Sequence, residues 1–323
     1  MKRSAFLLAA ALAAGLPAGA QQPGTFPSRA VTLVVPFTSG SGSDTIARIV
    51  GPKLSAKWGQ PVVVDNKPGA SGNLGTQFAA KAAPDGHTLL MAINTHTITP
   101  AVYKNLPFDA VRDFAPVAKL AEASFTLAVH PSVPVQDMHS LIAYAKANPG
   151  KLNYATPGSG TPHHMAMELL KSTYGVFLVH VPYKGISGAL TDLMGGHVDL
   201  MFASVPSVRT HAQAGTVKLV AVTGEARNRL IPDVRTFREQ GFQAMDAVDA
   251  WYAVLAPART APELVARLNH DFSEVMNTGE VKAELARQGL QVRTGTPEQL
   301  ASLIRSDIAR WQKVVTTAGI TAE

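Results

Sequence analysis

The sequence contains no cysteine among its 323 residues. The protein therefore has no disulfide bond, no thiolate ligand for a metal ion and no cysteine nucleophile. Its stability must come from a buried core, which a chain of this length can provide. The length also exceeds what one ordinary core needs, so we expect two lobes.

Aromatic residues (7%) and charged residues (16%) are also few. The basic residues are interspersed, and no lysine or arginine run resembles those that follow a phosphate backbone. A nucleic acid is therefore not an expected partner. Without Lys2 and Arg3 the net charge falls from +6 to +4, because the first twenty residues contain no acidic side chain. A mildly basic surface of this kind is compatible with an anionic ligand.

Long hydrophobic runs are missing except near the start of the chain, where residues 5–16 are apolar. This run is too short to cross a bilayer as a mature helix. It follows the positive charges of Lys2 and Arg3 and precedes Ala18-Gly19-Ala20, an A-x-A cleavage pattern. We expect residues 1–20 to be a signal peptide whose cleavage leaves a soluble periplasmic protein. An uncleaved membrane anchor is the alternative.

Motifs of nucleotide-binding, hydrolytic and metal sites are absent as well. Gly40-Ser41-Gly42 lacks the last glycine of G-x-G-x-x-G, and no G-x-x-x-x-G-K-[ST] occurs. Neither Ser41 nor Ser159 lies in a G-x-S-x-G motif. His164 and Glu168 share one helical face, but no third metal ligand is evident. We predict no cofactor, no metal and no catalytic residue; the alternative is an exported hydrolase that uses His164 with Ser41 or Ser159.

The pattern that is present alternates short apolar strands with amphipathic helices, which is typical of an α/β fold. A long final helix is predicted from about Pro297 to Ala318. We predict two α/β lobes with a ligand cleft between them. Residues 21–126 and 252–323 form the discontinuous first lobe in this prediction, and residues 127–251 form the second. Two hinge crossings are expected, near residues 124–130 and 251–256.

Two loops share one design. Thr38-Ser39-Gly40-Ser41-Gly42-Ser43 and Thr156-Pro157-Gly158-Ser159-Gly160-Thr161 each follow a strand and precede a helix, the first helix being capped by Ser43 or Asp44. Their glycines let backbone N–H groups approach a ligand, their hydroxyls add donors, and a helix N-terminus adds partial positive charge. Each loop alone could be an ordinary turn. As a pair on two lobes, they predict an anion held across a cleft.

Other polar segments follow strands and are further candidates. Asn94-Thr95-His96-Thr97 either contacts the ligand or forms a capping turn. Tyr183 is placed to wall the pocket, and Lys184 either meets a carboxylate or is solvated. Phe202-Ala203-Ser204 ends a strand at the position where ligands bind in open α/β sheets.

Many of these segments resemble the receptors of tripartite tricarboxylate transporters, also called Bug-type solute receptors, over nearly the whole mature chain. The matching stretches include Pro27-Ser28-Arg29, Gly59-Gln60-Pro61-Val62-Val63-Val64, Pro68-Gly69-Ala70-Ser71-Gly72-Asn73, Ala83-Pro84-Asp85-Gly86-His87-Thr88, Leu106-Pro107-Phe108-Asp109, Asp113-Phe114-Ala115-Pro116-Val117, Asn148-Pro149-Gly150-Lys151-Leu152-Asn153-Tyr154-Ala155 and His180-Val181-Pro182-Tyr183-Lys184-Gly185. The first loop is richer in hydroxyls than is common in the family. Ala203-Ser204 also replaces the usual Asp-Asn or similar pair. These departures concern ligand identity more than binding mode.

The resemblance implies a type II periplasmic-binding-protein fold and a non-enzymatic receptor. The implied ligand is a small organic carboxylate or an acidic amino acid, gripped by backbone amides, hydroxyls and water. The implied partners are membrane transport subunits or a sensor protein, and we expect a monomer. The predicted ligand-binding residues are Phe37, Thr38, Ser39, Gly40, Ser41, Gly42, Ser43, Asn94, Thr156, Pro157, Gly158, Ser159, Gly160, Thr161, His164, Tyr183, Phe202, Ala203 and Ser204.

Overall fold

The computed structural model of the protein describes residues 26–183 and 185–320. The predicted signal peptide (residues 1–20) and Lys184 lie outside these residues. In chain order the elements are β1 (Val31–Val35), α1 (Gly42–Trp58), β2 (Val62–Asn66), α2 (Asn73–Ala80), β3 (Thr88–Ile93), α3 (Thr95–Val102), β4 (Phe114–Ala123), β5 (Phe125–Val129), α4 (Met138–Ala147), β6 (Asn153–Thr156), α5 (Pro162–Tyr174), β7 (Val179–Pro182), α6 (Ile186–Met194), β8 (Leu200–Ser204), α7 (Val205–Gln213), β9 (Lys218–Val222), β10 (Ala250–Pro257), α8 (Pro262–Asn277), α9 (Gly279–Arg287), β11 (Leu290–Gly295) and α10 (Pro297–Ala318). Short 3₁₀ helices at Ala70–Gly72, Arg238–Gln240 and Gln243–Val248 connect some of them.

The strands form two sheets, which confirms the predicted α/β class with two lobes. The first sheet has the order β11-β4-β10-β3-β1-β2, and the second has the order β7-β6-β8-β5-β9. Strands β1, β2 and β3 are parallel, whereas β10 runs antiparallel to both β3 and β4. Four of the five β1 residues are buried, as expected for a parallel strand covered on both faces.

The long C-terminal helix α10 connects the two lobes. Thr296 and Gln299 form a capping box at its start, and it ends at Gly319 with a left-handed backbone (φ 64°), so the predicted span is confirmed. The helix packs on α3 and α8 of the first lobe and also on α5 of the second. Trp311 on its apolar face is 1% exposed, and burial of such a side chain contributes about 2 kcal/mol or more.

The chain changes sheet at two neighbouring places. Strand β4 ends at Ala123 and β5 begins at Phe125, so Ser124 alone separates them. The return follows Asp249, immediately before β10. Phe125 N–H donates to Thr223 Oγ1 (2.8 Å), and the Thr223 hydroxyl donates in turn to the Asp249 carboxylate. Hydrogen bonds therefore tie the two crossings to each other. The exact lobe boundaries remain a prediction.

Two local expectations differ from the structure. The N-cap of α1 is Ser41 rather than Ser43 or Asp44, because Ser41 has an extended backbone (φ −67°, ψ 160°) and its Oγ accepts the Asp44 N–H (3.4 Å). Residues 95–102 form the helix α3, although the polar segment at its start suggested a turn. Asn94 occupies the N-cap position of α3 without capping it through its side chain.

Candidate ligand-binding cleft

The first predicted loop is organised by one buried carboxylate, that of Asp44. Gly40 N–H donates to Asp44 Oδ2 (2.8 Å), and the Ser39 hydroxyl donates to the same oxygen (3.2 Å). Arg48 Nε also donates to Oδ2 (2.9 Å), and Asn66 Nδ2 donates to Oδ1 (3.0 Å). All four donors fix the loop conformation. Sequence reasoning considered Asp44 only as a helix cap and missed this role.

The same contacts set the ionisation of Asp44. Burial by itself raises the pKa of this carboxyl, but the hydrogen bonds from Arg48, Gly40 and Asn66 outweigh burial and lower the pKa to about 2. The carboxylate is therefore ionised at neutral pH, and both of its oxygens are occupied by protein donors. Asp44 shapes the loop and is not available to bind a cationic ligand.

Donors remain at the tip of this loop. The first intrahelical bond of α1 runs from Thr45 N–H to Ser41 O (2.8 Å), so the N–H groups of Gly42 and Ser43 have no acceptor within the helix. The hydroxyls of Ser41 and Ser43 lie 3.3 Å apart beside them. This tip offers two amides, two hydroxyls and the positive end of a 17-residue helix, a combination suited to a carboxylate.

The second predicted loop repeats this arrangement at the start of α5. Thr161 is the N-cap of α5 and accepts the His164 N–H (3.4 Å), while its hydroxyl donates to Gly158 O (2.8 Å). Thr156 Oγ1 lies 2.6 Å from His180 Nε2 and accepts the Gly158 N–H (3.3 Å). The loop is thus fixed from both ends by threonine hydroxyls.

The His164 side chain is buried and supports the second loop through a hydrogen bond to its backbone. It is 5% exposed, and its Nδ1 accepts the Gly160 N–H (3.1 Å). Burial, reinforced by the stacked His180 ring 4.1 Å away, lowers the pKa of His164 to about 4. The neutral ring therefore positions Gly160. A direct contact between His164 and the ligand stays a prediction.

Three further predicted residues, Tyr183, Phe202 and Ser204, contact other side chains of the second lobe. The Tyr183 hydroxyl donates to Asp192 Oδ2 (2.5 Å), and burial together with this bond raises the pKa of Tyr183 to about 12. The Phe202 side chain is fully buried and stacks on Phe237 at 5.8 Å, so it belongs to the core of the second lobe. Ser204 donates to Ser207 Oγ (3.1 Å) at the start of α7.

One polar residue at the edge of the first sheet was missed. Tyr252 on β10 is paired with Ile93 at the end of β3, which precedes Asn94. Its hydroxyl lies so close to Gly42 that a Cβ added there would be 2.3 Å from the phenolic oxygen. A tyrosine in a hydrophobic strand gave no sequence signal of a site, because only the pairing of β10 with β3 brings it to the loop.

The two lobes approach each other at the second loop. A Cβ added to Gly160 would lie 3.4 Å from Val102 Cγ1, which belongs to α3 of the first lobe. The second loop therefore lies against the C-terminal end of α3. Within residues 26–183 and 185–320, no three histidine, aspartate or glutamate side chains are grouped so that they could hold a metal ion. No helix in this part of the chain has the length and apolarity to span a membrane.

Comparison with solved structures defines the class of protein. Rpa4515 from R. palustris, solved with adipate, is 34% identical and matches with a TM-score of 0.79 over 92% of this chain and 100% of its own. MatC from Rhodopseudomonas palustris, solved with bound malate, is 33% identical with a TM-score of 0.76 over 90% of this chain and 100% of its own. The fold is that of a two-lobed periplasmic solute-binding protein, with its cleft between the lobes, as predicted.

The family follows from the sequence comparisons. The model for the tripartite tricarboxylate transporter family receptor matches residues 46–320, and the chain belongs to this family. BugT of Bordetella pertussis is 32% identical over 297 residues, which cover 91% of each chain. The resemblance to Bug-type receptors is therefore confirmed. Membership implies a receptor that binds solutes, is located in the periplasm and works with a transporter.

Proposed function

We propose that the protein captures a small organic carboxylate between the loops 38–43 and 156–161 and presents it to a membrane transporter or a sensor. The observation that carries this proposal is the matched pair of loops at the N-termini of α1 and α5. Both loops offer hydroxyls and helix N-termini, which favour an anion. Relatives of the same fold were solved with adipate and with malate, two dicarboxylates.

The proposal includes further properties of the chain. Residues 1–20 act as a cleaved signal peptide, the mature protein is a monomer, and the lobes comprise residues 21–126 with 252–323 and residues 127–251. The protein catalyses no reaction in this proposal. The hydrolase alternative has no support, because His164 Nδ1 is committed to the Gly160 N–H and Ser41 Oγ is paired with Ser43.

A thermal-shift screen of the mature protein against carboxylates and acidic amino acids tests the proposed function. A ligand that binds only the folded state at 100 times its Kd adds about 2.7 kcal/mol of stability. We expect a rise in Tm with one or a few carboxylates. Mass spectrometry of small molecules released by denaturation identifies any ligand that was retained during purification. A receptor that retains nothing and shifts with no carboxylate contradicts the proposal.

Variants locate the site. Ser41→Trp and Ser159→Trp fill the cleft from the first and the second loop, so we expect each to abolish the ligand-induced shift without loss of the fold. Ser172→Trp is the matched control, because Ser172 is an exposed residue at the far end of α5. Wild-type affinity in either loop variant would place the site elsewhere.

A further inference from the structure

Half of the exposed large apolar side chains in the described part of the chain lie in one region of the first lobe. Val63 is 49% exposed, Leu74 is 55% exposed and Phe78 is 48% exposed. Leu74 and Phe78 are four residues apart on α2 and therefore share one face of this helix. Together with Lys81 they line a groove of about 370 Å³. We call Val63, Leu74, Phe78 and Lys81 the α2 patch.

The α2 patch is one continuous surface. Val64 packs against the core that contains α1, so the alternation along β2 places Val63 and Asp65 on the opposite face of the sheet, where α2 lies. Lys67 connects this face to the helix, because its Nζ lies 3.0 Å from Asp65 Oδ2 and 4.3 Å from the centre of the Phe78 ring. The patch therefore runs from the edge strand β2 onto α2.

A strained turn holds the α2 patch beside the first loop. Ala70 and Ser71 have positive φ (47° and 55°), a conformation that costs free energy in residues other than glycine and is often found at functional sites. A Cβ added to Gly72 would lie 3.0 Å from Phe37 Cζ. The start of α2 is thus packed directly on the residue that precedes the loop 38–43.

The size and charge of the α2 patch indicate a transient protein partner. Three half-exposed apolar side chains offer on the order of 300 Å², well below the roughly 800 Å² that each partner of a stable complex buries. The patch is therefore too small to hold a second copy of this chain. Lys67 and Lys81 lie between Asp65 and Asp85, and no acidic residue does. An apolar segment flanked by acidic side chains is the complementary partner.

A receptor that delivers a solute must be contacted beside its cleft and then released. Members of this family work with a transporter, and the α2 patch adjoins the first loop of the proposed cleft. We infer that a membrane subunit of the transporter docks on the α2 patch through an apolar periplasmic segment with acidic neighbours. This inference rests on the proposed function.

Photo-crosslinking in intact cells tests the inference without knowledge of the solute. The bacterium that naturally makes the protein expresses the full chain with p-benzoylphenylalanine in place of Gln77, which lines the groove. Illumination should give an adduct that mass spectrometry identifies as an integral membrane subunit of a solute transporter. Addition of Phe78→Glu or of Leu74→Glu should lower the adduct yield at least about tenfold, because each places a charge in the apolar contact.

Val111→Glu is the matched control. Val111 is apolar and 42% exposed, but it lines a different groove with Ile304 of α10, so its substitution should leave the adduct yield unchanged. Phe78→Glu should melt within about 2 °C of wild type, because substitutions of exposed residues change stability by about 0.5 kcal/mol or less. It should also keep every carboxylate-induced rise in Tm, since the patch lies outside the cleft.

The absence of an adduct would overturn the inference, as would an adduct only with a second copy of this chain or with a sensor protein. An adduct yield that neither Phe78→Glu nor Leu74→Glu changes would overturn it as well. A carboxylate-induced rise in Tm beside any of these results would leave the proposed capture of a carboxylate standing. A transporter adduct that Phe78→Glu removes, without binding of any carboxylate, would support the docking surface and overturn the proposed ligand class.

Discussion

Protonation of His164 should weaken both the fold and the second loop, because the Gly160 N–H needs an unprotonated Nδ1 as its acceptor. The charged and titratable groups around this ring change its pKa. His180 stacks on it at 4.1 Å, Glu168 Oε1 lies 3.8 Å from Nε2, and the Lys171 Nζ is bonded to Glu168 at 2.6 Å. The Glu168 carboxylate favours the charged ring, whereas burial, His180 and Lys171 disfavour it.

The size of the effect follows from the pKa. It falls from 6.5 to about 4 on folding, so the unfolded chain binds more protons between these pH values. The stability contributed by the neutral ring is complete above pH 6.5 and is lost as the pH falls towards 4. At 1.36 kcal/mol for each pKa unit, the total loss is roughly 3 kcal/mol.

Urea denaturation of wild type and His164→Asn from pH 7.5 to 4 measures this loss. Asparagine keeps an acceptor near the position of Nδ1 but does not titrate, so the variant should lose roughly 3 kcal/mol less than wild type over this range. The buried His96 and His163, whose pKa values are also about 4, remain in both proteins and cancel in the comparison. Parallel pH profiles for the two proteins would refute the reasoning.

Two further substitutions test the hydrogen bonds of the first loop and a close backbone contact at Gly289. Asp44→Ala should cost about 1–3 kcal/mol, because the Gly40 N–H and the Asn66 side-chain amide lose their acceptor. It should also weaken ligand binding because the first loop is no longer held, and wild-type affinity by calorimetry would contradict this. Gly289→Ala should cost about 1–3 kcal/mol more than Gly59→Ala in urea denaturation. Both glycines have positive φ (71° and 67°), but only a Cβ at Gly289 would meet Pro206 Cγ, at 2.1 Å, so equal costs would contradict the contact.

Helices with strong end signals could be predicted from the sequence. The predicted span of α10 matches the structure because Pro297 stands at its first position and Gly319 follows its last residue. Helix α3 was missed, since it is only eight residues long, contains Pro100 and starts with polar residues typical of turns. Its stability comes from packing on α10, which no local pattern reveals.

In the candidate site too, features with a local sequence pattern could be predicted, and features that depend on contacts between distant residues could not. The two loops could be found because glycine and hydroxyl residues between a strand and a helix have a local signature. The roles of the supporting residues could not be found in this way, although His164 was predicted as a ligand-binding residue and Asp44 as a helix cap. Asp44, His164 and Tyr252 reach the loops through side-chain hydrogen bonds or through pairing between distant strands, and the β10–β3 pairing joins residues about 160 positions apart in the sequence.

The position of β10 also determines the order in which the molecule can assemble. The five strands of the second sheet occupy residues 125–222, so this sheet has all its strands before the last 101 of the 323 residues have been synthesised. The first sheet, in contrast, remains two unconnected fragments, β2-β1-β3 and β4, until β10 enters between β3 and β4. A chain truncated before Ala250 would therefore keep a foldable second lobe but expose two sheet edges in the first, which makes it prone to aggregate through those edges.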